Sequence, residues 1–130
     1  MILLDTHVLI WWANGEHERL SAAAIAAIEA EEQQRLVSAI SCWEVAMLAE
    51  RGRLGLSVDM ERWLNLVASV PRLQLLPLSP AVAVASTRLP GTFHADPADR
   101  FLVAQSRHLN IPLVTTDSKI RAYPHVRSLW

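Results

Sequence analysis

The chain has 130 residues, 52% of them hydrophobic and 19% charged, with a formal net charge of -1. That length argues for one domain over residues 1–130, able to bury roughly two thirds of the surface its unfolded chain exposes. The near-neutral balance gives no support for a general polyanion binder. The single cysteine, Cys42, excludes an internal disulfide and fits a reducing, cytoplasmic setting, and no run approaches the roughly 20 apolar residues of a membrane span.

In chain order, Ile2–Leu4 reads as a first strand. Asp5 and His7 then break the apolar run, which is not the pattern of a signal peptide. Thr6–Ala13 follows as a short helix stopped by Asn14-Gly15, and Ser21 caps an Ala-rich helix to about Glu32. Arg35–Ala39 is a second strand. Ser41 and Glu44 match a capping box opening a helix that ends near Arg51-Gly52. Asp59 caps a helix whose Met60, Trp63, Leu64 and Val67 fall at i, i+3, i+4, i+7. Leu73–Leu76 is a third strand. Ser79-Pro80 and Asp96-Pro97 each open a helix with proline at its first position. Pro112–Thr115 is a fourth strand, Asp117–Arg121 a short helix and His125–Leu129 a fifth strand. This alternation predicts a three-layer α/β/α sandwich with a mostly parallel central sheet. The apolar runs lack period-two alternation, as strands covered on both faces should.

Four acids stand where a strand ends or a helix begins: Asp5, Glu44, Asp99 and Asp117. In a parallel sheet such places converge on the crevice outside the strand C-termini. Carboxylates gathered there repel one another unless a hard divalent cation neutralises them, and an acidic metal site without a protein nucleophile points to phosphodiester hydrolysis. Each acid also has a structural account. Glu44 completes a capping box, Asp96 and Asp117 cap helices, and Asp99 favours a positive helix end. Asp5 is harder to explain this way, because no lysine or arginine lies within thirteen residues of it.

Four blocks stand out together: Leu4-Asp5-Thr6-His7, Ser41 to Ala46 running into Gly52-Arg53-Leu54, His94 to Gln105, and Leu113 to Asp117. In this order they resemble the PIN-domain ribonucleases, specifically VapC-type toxins of prokaryotic toxin–antitoxin pairs. The resemblance implies an α/β/α fold and a Mg²⁺ or Mn²⁺ ion held by Asp5, Glu44, Asp99 and Asp117, with Asp96 as the alternative to Asp99. It further implies cleavage of RNA, a homodimer, and a VapB-type antitoxin whose tail enters the cleft. One departure is Met47-Leu48, where more polar or basic residues are expected. Thr6 and Thr116 are expected to orient carboxylates or water, with Thr115 left to ordinary strand and cap chemistry. Arg100 and Lys119 are expected to contact RNA phosphate. His94 lies nearby without a second histidine to complete a zinc motif. Trp11 and Trp12 either stack on bases or pack internally. An aspartyl-phosphate phosphatase would want a second Asp where His7 stands. The remaining alternative is a catalytically inactive PIN-like module that binds RNA or a partner.

Overall fold

A computed structural model describes Met1–Trp130. The elements run β1 (Ile2–Leu4), α1 (Thr6–Ala13), a 3-10 turn (His17–Arg19), α2 (Ala22–Glu29), β2 (Arg35–Ser38), α3 (Ala39–Glu50) and α4 (Met60–Ala68). They continue with β3 (Leu73–Leu76), α5 (Pro80–Ser86), α6 (Pro97–Leu109), β4 (Leu113–Val114), α7 (Ser118–Ala122) and β5 (Ser128–Leu129). The seven helices open on Asp5, Ser21, Ser38, Asp59, Ser79, Asp96 and Asp117, whose side-chain oxygens each accept from a first-turn backbone N–H. Such caps are worth about 1 kcal/mol each.

The five strands pair in the order β3-β2-β1-β4-β5, and every pair is parallel. The chain winds outward from β1 through β2 to β3, then returns to place β4 on the other side of β1. The point where winding reverses lies between β1 and β4, and there the strand C-termini open a crevice.

Successive strand side chains point to opposite faces, and the two cores follow from this. Leu4, Val37 and Val114 join α1, α2 and α4 residues such as Val8, Leu9, Ile28 and Trp63 in one apolar cluster. Leu3, Leu36 and Leu113 join Leu102 and Val103 of α6 and Ile120 of α7 in the other. Helix α3 serves both clusters, through Val45 and Ile40 respectively. Leu3, Leu102 and Leu113 are fully buried, and truncating one to alanine costs about 2–5 kcal/mol. The expected three layers are therefore present, with the sheet parallel throughout.

Several boundaries differ from the sequence reading. Helix α3 begins at Ala39, capped by Ser38, whose hydroxyl accepts from Ile40 N. Ser41 and Glu44 thus lie inside the helix and form no capping box. Helix α2 stops at Glu29, and β5 is confined to Ser128–Leu129.

Candidate active site

Asp5 leaves β1 at its C-terminal end. Its backbone N donates to Val114 O (3.0 Å), tying it to β4 across the switch point. Both carboxylate oxygens are engaged: Oδ1 accepts from Thr6 N (2.7 Å) and Oδ2 from the Thr115 hydroxyl (2.6 Å). Thr115 Oγ1 in turn accepts from Asp117 N (3.0 Å), so one hydroxyl couples Asp5 to the turn that carries Asp117. Asp117 caps α7 with Oδ1, which accepts from Lys119 N and Ile120 N (2.9 and 3.0 Å).

Glu44 projects from α3 to the same place. Thr6 Oγ1 lies 2.6 Å from Glu44 Oε1 and 2.9 Å from Ser41 Oγ. A hydroxyl has one proton, and the carboxylate is the stronger acceptor; Thr6 donates to Glu44 and leaves its lone pair for Ser41. Thr6 and Ser41 are both fully buried, so the pair forms a fixed footing under Glu44.

Helix α6 enters the crevice at its N-terminus. Asp96 caps it, with Oδ1 accepting from Ala98 N (3.0 Å), and Asp99 is its third residue. His94 Nε2 lies 3.0 Å from Asp99 Oδ2, off the line of a hydrogen bond, so this buried nitrogen has no aligned partner. His94, Asp99 and Asp117 each offer a ligand atom within 4.8 Å of one another.

These residues line one cleft of about 330 Å³, walled by Asp5, His7, Trp11, Glu44, Asp96, Asp99, Thr116 and Asp117. No lysine or arginine lines it. Burial pushes the Asp5 carboxyl above the ordinary carboxylate range, against the hydrogen bonds from Thr115 and Thr6. Burial also raises Glu44, with the charge of Asp5 adding to it. Asp99 is pushed up to about 7, by burial first and then by Asp5, Asp96, Asp117 and Glu44. All three shifts disfavour the charged carboxylates, as crowding without a cation should. The donor set is chiefly carboxylate oxygen, the ligand type hard divalent ions prefer. The residues present therefore fit a hard divalent ion.

A family model of the PIN domain matches residues 2–126. The chain belongs to the PIN domain family. It is 39% identical over 126 residues to ribonuclease VapC22 of Mycobacterium tuberculosis, covering 97% of this chain and 94% of the relative. Two solved structures share the PIN fold. The toxin–antitoxin complex from Klebsiella pneumoniae gives a TM-score of 0.69 at 21% identity, covering 97% of this chain and 95% of that one. VapBC2 from Rickettsia felis, bound to a promoter DNA fragment, gives 0.67 at 16% identity, covering 98% and 97%.

Within this PIN fold some expectations change. Arg100 does not line the acid cleft. Its Nε donates to Ser86 O (2.8 Å), and its Nη1 to Phe93 O and His94 O (3.0 and 3.1 Å). It is a strut that fixes the loop carrying His94. Thr115 makes a contact to Asp5 beyond ordinary strand and cap chemistry, whereas exposed Thr116 lines the cleft without a side-chain hydrogen bond to a carboxylate. Ser41 was missed because its spacing to Glu44 imitates a capping box. His7 and Trp11 line the cleft, while Trp12 stacks under Arg35, 5.3 Å from guanidinium carbon to ring centre.

Proposed function

We propose that this chain is a metal-dependent endoribonuclease, the toxin of a VapBC-type pair, hydrolysing RNA phosphodiester bonds with water as nucleophile. One observation carries the reading: separate elements bring Asp5, Glu44, Asp99 and Asp117 to a cleft that no lysine or arginine lines. The catalytic and metal-holding roles fall to these four acids, with Asp96 at the rim as the alternative to Asp99. When bound, a Mg²⁺ or Mn²⁺ ion supplies a water of lowered pKa and offsets charge on the scissile phosphate.

The chain's own residues set up that chemistry. Thr115 and the Thr6 amide hold Asp5 with both oxygens placed. The Thr6 hydroxyl holds Glu44, and His94 flanks Asp99. We assign the orienting of water to Thr116, which lines the rim, and phosphate contact to Lys119, exposed in the groove that adjoins His94.

The test is cleavage of RNA by the full chain with Mg²⁺ or Mn²⁺ and its loss in EDTA. Asp5→Asn should abolish cutting while the melting temperature holds. Sustained metal-dependent cleavage by Asp5→Asn would remove the site from the account. An inactive binding module would be expected to lack one of the four acids, and all are present in the cleft.

A VapB-type antitoxin belongs to the same reading. An apolar groove of about 420 Å³, lined by Leu9, Trp12, Trp63 and Leu66 among others, suits an apolar partner helix. We also read residues 1–130 as one PIN domain acting as a cytoplasmic homodimer, which the solution mass would check. No helix is long and apolar enough to cross a membrane.

A further inference from the structure

We propose that RNA is held outside the cleft on a basic and aromatic track that runs from His94 and Lys119 to Arg88, Arg107 and Arg127. The proposal rests on the nuclease reading and extends it, by naming the surface that carries substrate away from the cut.

Charge is segregated along the chain. Ten of the thirteen acids fall in residues 1–72, and the other three, Asp96, Asp99 and Asp117, all line the cleft. Beyond the cleft, residues 73–130 therefore carry no carboxylate side chain. They do carry Arg88, Arg107, Lys119, Arg121 and Arg127, besides the internally bonded Arg100; Arg107 Nη1 donates to His125 O and Arg127 Nη2 to Asn110 O, both at exposed positions with their other N–H groups left over. The formal net charge of -1 conceals this division. A charge asymmetry of this kind is the electrostatic footprint of a polyanion partner.

The surface also has the right shape. A groove of about 310 Å³ holds Lys119 beside Phe93 and His94, so it abuts the acid cleft. Arg107 lies on two further grooves. One, of about 420 Å³, holds Arg88 and His108, and the other, of about 180 Å³, holds His125 and Arg127. No acid lines any of the three. From Asp99 to Arg107, α6 rises about 12 Å, so the arginines reach nucleotides well clear of the cut.

Aromatic rings link the two ends. Centroids lie 4.5 Å apart for His94–Phe93, 4.8 Å for Phe93–Tyr123 and 5.4 Å for Tyr123–His125. Tyr123 is buried and anchors the ladder through a hydroxyl bond to Pro90 O, while Phe93, His94 and His125 keep exposed surface. Arginine grips phosphate, and exposed rings accept bases without regard to sequence. An acidic polypeptide would satisfy the arginines and leave the rings unused, which favours single-stranded RNA.

The test is fluorescence anisotropy with labelled single-stranded RNAs of about four and about twenty nucleotides, in EDTA so that neither metal nor cleavage contributes. Arg88→Gln/Arg107→Gln should weaken binding of the longer RNA about tenfold at low salt and flatten the slope of log affinity against log salt by about 1.4. The shorter RNA should bind the variant and parent alike. Arg107 Nη1 donates to His125 O, whereas exposed Arg88 makes no such bond, so Arg88→Gln alone, with about half that change in slope, covers any loss of folding in the double variant. Unchanged affinity and slope for the longer RNA overturns the track. Poly-glutamate binding the parent as tightly as RNA, and losing it in the same variant, also overturns it and assigns the face to an acidic protein. If the longer RNA binds as expected but Mn²⁺ never elicits cleavage, the nuclease reading fails and the track stands.

Discussion

Replacing Asp99 with asparagine should make the metal-free protein more stable while destroying its metal site. In the folded chain the Asp99 carboxyl titrates at about 7 instead of 3.8, because burial and then Asp5, Asp96, Asp117 and Glu44 disfavour its charge. A carboxyl raised in this way keeps its proton in the native state after the unfolded chain has released it. Native stability therefore falls as pH rises from about 4 to about 7, and stays low above that. Three pH units at 1.36 kcal/mol each set a ceiling of roughly 4 kcal/mol. The side chain retains 17% exposure and faces an open cleft, so solvent screening brings this to about 2 kcal/mol. For a domain of this size that is a gain in Tm of about 6–8 °C. Thermal melts of parent and Asp99→Asn in EDTA should show that gap at pH 8 and most of it gone at pH 5. Mn²⁺ should then raise the parent's Tm in proportion to log concentration and move the variant far less. Equal Tm values at pH 8, or a gap of the same size at pH 5, would refute the reasoning that the acids repel one another without a cation.

Thr115→Val removes the hydroxyl that serves both Asp5 Oδ2 and Asp117 N. It should lower Mn²⁺ affinity about 10–100-fold by calorimetry, whereas Thr116→Val should change it little. Thr6→Val leaves Glu44 without its fixed donor and should reduce kcat more than it raises KM. Arg100→Gln withdraws donors from three carbonyls and should cost about 1–3 kcal/mol in a denaturant titration. Affinity for RNA in EDTA should be preserved in that variant.

The order of strands and helices, and the places of the acids, were legible because the signals are local. A carboxylate directly after a buried strand has no local partner. Proline behind Asp96 and Ser79 fixes where a helix opens. What the sequence did not reveal depends on neighbours distant in the chain. Ser38 and Ser41 both suit an N-cap, and only the packing that buries Ser41 against Thr6 decides for Ser38. Thr115 and Thr116 point opposite ways, and which one meets Asp5 depends on β4 lying beside β1. Arg100 adjoins Asp99 in sequence, but one step along a helix turns a side chain by about 100°. It therefore reaches the Phe93–His94 loop instead of the cleft. His94 carried only the weak signal of proximity to Asp96, since a lone histidine completes no metal motif.

The most direct measurement is the anomalous difference map of a crystal grown with Mn²⁺. A peak in the cleft at coordinating distance from Asp5 and Asp99 is the expected result, and its disappearance in Asp99→Asn would accompany it. An empty cleft at millimolar Mn²⁺, or an ion bound only elsewhere on the molecule, would contradict the account.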